Sequence, residues 1–263
     1  MLTKLLKYEL KSIFKFLIIF YSIAIFFATL TRLFFMIDNS VIMNIIAQIC
    51  NGVTISMIFN ILINNIMRLW VRFKNNFYGD EAYLTHTLPV KKTCLYQAKF
   101  LTAFITMFVS ILVIGVTLFI AYYSKENIKI LMDFLLPVAE LYNSSVVGII
   151  IAFLFIVFLE LANTVQIGFT GIVLGHRMQN MKLGASVLFG FISYIVMQVV
   201  VLILMFIVAL FIPDLMNLFY TTEMINLEMI KLIIYLAIGI YSMTLVIGYI
   251  VNIKLFNKGV NVE

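Results

Sequence analysis

The sequence predicts an all-α membrane protein with six transmembrane helices and an amphipathic helix at its N-terminus. Of the 263 residues, 64% are hydrophobic and only 11% are charged, whereas a soluble domain carries about a quarter charged residues. The mean hydropathy is +1.13, and the apolar residues are gathered in long runs separated by short polar segments. A chain this apolar requires lipid as its solvent. We therefore expect residues 1–263 to form a single transmembrane domain.

Six apolar runs are each long enough to cross a hydrocarbon layer of about 30 Å, which takes about 20 helical residues. Backbone groups in lipid must be hydrogen-bonded within the segment, so each run is predicted to be a helix. The alternating ten-residue pattern of a β-barrel is absent from the sequence. The predicted spans cover approximately residues 13–37, 41–67, 100–123, 144–174, 183–212 and 231–253.

Basic residues predict the orientation, because Lys and Arg are enriched in cytoplasmic loops. Fourteen of the 18 Lys and Arg residues fall before the first span, in alternate loops, or after the last span. Both termini are therefore predicted to be cytoplasmic in a multi-pass protein of the cell membrane, and residues 68–99 form the largest cytoplasmic loop. Since the basic residues occupy short loops between apolar runs, the pI near 9.2 does not indicate a nucleic-acid partner.

The segment before the first span has a basic stripe. Lys4, Lys7, Lys11 and Lys15 recur every three or four residues, so they share one side of a helix. Leucine, isoleucine and phenylalanine occupy the opposite arc, with Glu9 at its edge. Such a helix is expected to lie in the cytoplasmic headgroup layer with its lysines toward anionic lipid. The alternative is a straight cytoplasmic extension of the first span.

The sequence lacks the residues that intramembrane catalysis needs. The two histidines, His86 and His176, fall in predicted cytoplasmic loops, which excludes a Ser-His pair and a His-ligated zinc within the bundle. Cys50 and Cys94 have no metal-site spacing and are not expected to form a disulfide. No P-loop motif occurs. We predict no enzymatic activity and no bound cofactor, and any ATP must be hydrolysed by another polypeptide.

One ionisable residue lies deep in a predicted span. Glu160 is near the middle of the fourth span, and Asn163 and Thr164 follow at helical spacing. A mid-bilayer carboxylate is costly unless it is paired, protonated or hydrated. The patch is interpreted either as the lining of a translocation path or as polar contacts between helices. Gln198, midway along the fifth span, is a candidate partner.

Two segments on the predicted outer side are amphipathic but too polar to span. Residues 213–232 and 124–143 are interpreted either as short re-entrant or surface helices that could cap an outward opening, or as plain surface loops. The three prolines, Pro89, Pro137 and Pro213, all lie between predicted spans, where helices are expected to stop.

The predicted cytoplasmic loop contains the most polar stretch of the chain, YGDEAYLTHTLPVKK at residues 78–92. A short helix is expected from about Asp80 to Thr87, because Asp80 and Glu81 suit a helix N-terminus and Pro89 restricts Leu88.

Within this short helix, Tyr83, Leu84 and Thr87 share one face. This apolar, aromatic face lies between the acidic start and the basic pair Lys91 and Lys92. An exposed anchor with charged surroundings is typical of a protein docking surface. A solvated loop is the alternative.

The order of these features resembles the type 2 permease subunits of bacterial ATP-binding cassette (ABC) transporters. The run Leu84–Val90, LTHTLPV, followed by the basic pair, resembles the cytoplasmic loop after span two in that family, with His86 as a departure. The turn Gly175-His176-Arg177 resembles its loop between spans four and five.

The resemblance implies a membrane subunit of an exporter whose loop is a coupling helix seated in a groove of a separate ATPase. ATP and Mg²⁺ would bind to that ATPase, and two permease subunits, identical or related, would pair in the membrane. The contact anchors would be Tyr83, Leu84 and Leu88, with charge matching by Asp80, Glu81, Lys91 and Lys92.

The resemblance implies a peptide, a lipid or a hydrophobic drug as substrate. Two other functions remain open from the sequence. One is a proton-coupled secondary transporter that uses Glu160, and the other is a non-transporting scaffold or immunity protein.

Overall fold

The computed structural model describes residues 1–37, 40–212 and 227–258, and for residues 227–231 it describes the backbone alone. Every regular element in these ranges is an α-helix. In chain order the helices are α1 (Leu2–Phe35), α2 (Val41–Tyr78), α3 (Ala82–Thr87), α4 (Lys92–Tyr122), α5 (Lys125–Leu141), α6 (Val146–Gly175), α7 (Lys182–Ala209) and α8 (Leu227–Asn257).

Six of these helices are long and apolar enough to cross a membrane: α1, α2, α4, α6, α7 and, over Leu232–Asn257, α8. The predicted all-helical class and the six predicted spans are confirmed at this level. The architecture is that of a multi-pass membrane protein. The side of the membrane on which the termini lie stays a prediction.

The second helix is longer than the sequence predicted. α2 continues without a break to Tyr78, and α4 begins at Lys92, so the predicted cytoplasmic loop over residues 68–99 consists of the ends of these two helices and of a connection over residues 79–91 that contains α3. That this segment lies in the cytoplasm stays a prediction. The charges at Arg68 and Arg72 favoured a loop in the sequence. On the helix, Arg72 is paired with the carboxylate of Glu9.

The N-terminal segment is continuous with the first span, since α1 is one helix of 34 residues. At about 1.5 Å per residue it is about 50 Å long, which exceeds the hydrocarbon layer by about 20 Å. The four lysines of the basic stripe are exposed. A headgroup location for this segment stays a prediction.

The segment after α4 is a helix and not a loop. α5 spans 17 residues, and Pro137 lies inside it, so the expectation that Pro137 marks a helix end was wrong. Proline has no backbone N–H, so α5 lacks one backbone hydrogen-bond donor near its C-terminus. Pro89 behaves as predicted, because Leu88 is extended and ends α3. Pro213 and most of the segment 213–232 lie outside the described residues.

The chain divides into two compact units, the first formed by residues 1–73 and 89–131 and the second by residues 74–88 and 132–263. In the first unit, α1 packs along α4. Hydrogen bonds between side chains join α1, α2 and α4. The hydroxyl oxygens of Tyr21 and Ser110 lie 2.8 Å apart, and the Asn65 amide donates to the Ser110 hydroxyl at 2.9 Å.

In the second unit, α6 packs against both α7 and α8. Glycine permits the close approach of α6 and α7. A Cβ atom added at Gly171 would lie 2.6 Å from the backbone of Gly190, and one at Gly175 would lie 2.3 Å from Ser186. Small residues that let helix backbones touch are the usual packing device of helices in lipid.

Candidate functional site

The residues predicted to contact a partner are exposed. Tyr83 is 64% exposed and Leu84 is 76% exposed, although large apolar side chains at such positions would be stabilised by burial. Every residue named in the docking prediction is exposed: Asp80, Glu81, Tyr83, Leu84, Thr87, Leu88, Pro89, Lys91 and Lys92.

The helix that carries Tyr83 and Leu84 begins later than predicted. α3 starts at Ala82, and Glu81 is its N-cap residue without a capping side-chain hydrogen bond. The Glu81 carboxylate accepts a hydrogen bond of 2.8 Å from the Asn76 amide instead. Asp80 and Glu81 therefore form the turn from α2 into α3 and do not occupy its first helical turn.

The inner side of α3 is fixed by buried contacts in the second unit. Ala82 is fully buried, and the His86 ring is partly buried. His86 Nε2 lies 3.2 Å from the Phe77 carbonyl oxygen, and the two rings are 6.3 Å apart. The fully buried Phe77 ring packs 4.7 Å from Phe256, near the end of α8.

Tyr78, the last residue of α2, packs against the turn between α6 and α7. Its ring lies 4.4 Å from the ring of His176. His176 Nδ1 is 2.8 Å from the Ile172 carbonyl oxygen, so this nitrogen carries the proton and donates it. Ser186 Oγ, at the start of α7, is 3.2 Å from the same nitrogen. The end of α2 thus packs against α3 and α8 through Phe77 and against the turn between α6 and α7 through Tyr78.

His176 was predicted in the loop after the fourth span, and it is the C-cap residue that follows α6. Its complete burial was not predicted. In the sequence, Gly175 was the residue that could have indicated this burial, because its missing side chain lets Ser186 of α7 lie directly against α6.

The polar residues of the fourth span have separate surroundings. Asn163 is buried, and its amide donates to the backbone oxygens of Leu159 and Tyr241, both at 3.0 Å. Thr164 donates to the Glu160 backbone oxygen. The Glu160 side chain is exposed. Asn163 thus joins α6 to α8, whereas Glu160 lies on the outer surface of the unit.

Sequence reasoning missed a longer series of polar contacts between α6 and α8. Thr170 donates to the Asn252 side-chain oxygen at 2.7 Å, and the Asn252 amide donates to the Gln166 backbone oxygen at 3.2 Å. The Gln166 amide in turn donates to the Leu245 oxygen. Asn163, Gln166 and Thr170 recur every three or four residues, which is the signal that one face of α6 is polar.

Gln198 is half-buried on α7. α6 and α7 run in opposite directions, and Gly171 of α6 lies against Gly190 of α7. Counting the same number of residues along each helix from this contact places Gln198 level with Asn163. No hydrogen bond joins Gln198 to Glu160 in the part of the chain that the structure describes.

A second missed feature is a buried ion cluster in the first unit. The Glu9 carboxylate lies 2.7 Å from Arg72 Nε and 2.9 Å from Lys99 Nζ. Lys99 is almost fully buried. Glu9, which the sequence placed at the edge of the apolar arc, therefore ties α1 to α2 and α4. Since Arg72 and Lys99 were counted as loop charges, their partner was not found.

Across the described ranges, no three His, Cys, Asp or Glu side chains gather as metal ligands would. The absence of a cofactor stays a prediction. Comparison of the chain with protein-family models, with curated proteins and with solved structures finds no match.

Proposed function

We propose that this chain is the membrane subunit of an ATP-driven ABC exporter, which supplies the substrate path and docks a separate ATPase. The observation that carries the proposal is α3: an apolar, aromatic outer face on a short helix whose inner side is buried. A solvated loop would not need a fixed base, and a buried structural helix would not present Tyr83 and Leu84 to solvent.

The contacts beneath α3 support a coupling role. Phe77 packs on Phe256 of α8, and Tyr78 packs on His176 between α6 and α7. Close-packed side chains resist compression and transmit displacement. Movement of α3 by a bound ATPase would therefore displace the ends of the helices in this unit that are long enough to span the membrane.

The absence of a P-loop from the sequence supports a division of labour, in which ATP and Mg²⁺ bind to the partner ATPase. The chain would work in the cell membrane with both termini cytoplasmic, next to a second permease subunit and in contact with lipid. Lys91 and Lys92, exposed at the start of α4, and the acidic pair Asp80 and Glu81 would match charges on the ATPase.

Co-purification tests the proposal. The chain is co-expressed with each P-loop ATPase whose gene is found next to its own, and with unrelated ATPases as controls. Selective capture of the neighbouring ATPase, with ATP hydrolysis that requires both proteins, is expected. Transport by the chain alone that a protonophore abolishes would contradict the proposal and favour a secondary transporter.

A further inference from the structure

The buried ion cluster of the first unit carries more positive than negative charge. Glu9 lies between two cations, Arg72 and Lys99, and Lys99 is almost fully buried. The other acidic residues of this unit, Asp38 and Glu126, come after the far ends of α1 and α4 in the sequence. Positive charge that is taken out of water is costly unless an anion compensates it.

Arg68 adds a third positive charge, one helical turn from Arg72. The two arginines are four residues apart on α2, so they share one face of that helix. The Arg68 guanidinium lies 5.2 Å from the centre of the Phe16 ring, and Arg72 is paired with Glu9. Glu9 and Phe16 are seven residues apart on α1, which is about two helical turns. Both arginines therefore lie against the same face of α1.

These arginines have hydrogen-bond donors that the described part of the chain does not use. A guanidinium has five N–H groups, and Arg72 directs only its Nε and Nη2 groups to Glu9. Arg68 Nε is buried and has no acceptor among the described residues, and no carboxylate there pairs with Arg68. Buried donors are nearly always hydrogen-bonded in proteins, so an acceptor from outside the chain is expected.

The cations lie at the level where the apolar runs end. Arg68 immediately follows the second predicted span, and Lys99 immediately precedes the third. The phosphate groups of a bilayer lie directly outside its hydrocarbon layer, so a lipid phosphate is the anion that shares this depth. The predicted orientation puts this end in the cytoplasmic leaflet, whose surface is negatively charged.

We propose that Arg68, Arg72 and Lys99 bind the phosphate of an anionic phospholipid, with Glu9 holding Arg72 and Lys99 in position. The planar fork of an arginine matches two phosphate oxygens, and the phosphate supplies a second negative charge beside Glu9. The inference is independent of the exporter proposal, since lipid binding requires no ATPase.

Competition binding tests the inference on the purified full chain in detergent. Radiolabelled phosphatidylglycerol is bound and then displaced by unlabelled phosphatidylglycerol or by phosphatidylcholine with the same acyl chains. Both lipids carry a phosphate, but the choline cation is repelled by the arginines. We expect saturable binding, with displacement by phosphatidylglycerol at concentrations about tenfold lower than by phosphatidylcholine. Binding that does not saturate, or equal displacement by the two lipids, would overturn the inference.

Substitution of Arg68 separates a defined site from a basic surface. Arg68→Gln should weaken phosphatidylglycerol binding by about tenfold, the scale of one charge-assisted contact. Lys11→Gln removes the same charge from the exposed basic stripe at the same end of α1 and should leave binding unchanged. Equal weakening by the two variants would overturn the site, because general attraction to a basic surface would then explain the binding.

Arg68→Lys keeps the charge but not the planar fork, so its affinity should lie between those of the parent chain and Arg68→Gln. Equal melting temperatures of the three proteins without added lipid are expected, since Arg68 has no ion pair in the described ranges. Unchanged phosphatidylglycerol affinity in both Arg68 variants would overturn the role of Arg68.

Inorganic phosphate distinguishes a lipid from a soluble ligand. Added in large excess, it should leave the radiolabelled phosphatidylglycerol bound. Displacement of the lipid by inorganic phosphate would overturn the assignment to a phospholipid, because the three cations would then take a soluble anion.

Discussion

Replacing Tyr83 and Leu84 together by alanine should abolish most of the affinity for the ATPase while leaving the membrane protein folded. Their side chains are 64% and 76% exposed, so their removal takes little from the core. Exposed substitutions of this kind usually change the free energy of unfolding by no more than about 0.5 kcal/mol.

The expected loss of binding follows from the exposed area. Fully burying a large apolar side chain is worth about 1.5–3 kcal/mol, and about two thirds to three quarters of each side chain is open to a partner. The pair should contribute about 3 kcal/mol, which corresponds to about a hundredfold in the dissociation constant.

The assay is a titration of the labelled ATPase against the chain in nanodiscs. Ile130 and Phe134 provide a matched control, since they are 67% and 76% exposed on α5, a helix that the predicted orientation would put on the outer side. Ile130→Ala with Phe134→Ala should leave the dissociation constant unchanged. Unchanged affinity after the Tyr83 and Leu84 replacements would refute α3 as the docking element.

Three further predictions concern packing. Gly171→Ala should lower thermal stability in detergent because its methyl group overlaps the α7 backbone, whereas Gly190→Ala has open space and should not; equal melting temperatures would contradict the close contact. Glu9→Gln should lower the free energy of unfolding by about 3 kcal/mol, because it leaves Lys99 buried with an incomplete charge balance. Denaturant unfolding would measure this loss. An unchanged denaturation midpoint would exclude an energetic role for the cluster of Glu9, Arg72 and Lys99. Asn252→Ala should cost only about 1 kcal/mol, since hydrogen bonds between membrane helices average about 0.6 kcal/mol each, and a loss above about 3 kcal/mol would contradict that assignment.

The features that were predictable from the sequence are those that depend on one helix alone. The thickness of the hydrocarbon layer selects runs of about 20 apolar residues, so six spans were visible. Proline fixes the residue before it, so the end of α3 at Thr87 was visible as well. The exposed face of Tyr83 and Leu84 followed from helical spacing.

The remaining features depend on partners far away in the chain. Arg72 is paired with Glu9, which lies 63 residues earlier in the chain, and a count of charges within one loop cannot reveal so distant a partner. Glu160 and Asn163 are three residues apart, which rotates them by about 60° around α6. Because of this rotation Asn163 contacts α8 while Glu160 is exposed. Which of the two residues faces α8 depends on where α8 lies, and the sequence of α6 does not contain that information.

The most direct test of the account is the side of the membrane from which α3 is reached. Leu84→Cys is made in a chain with Cys94→Ser, leaving the buried Cys50 in place, and is treated with a membrane-impermeant maleimide in inside-out and right-side-out vesicles. The account predicts labelling of inside-out vesicles only, and slower labelling once the ATPase is added. Labelling from the outer side, or a rate that the bound ATPase leaves unchanged, would contradict it.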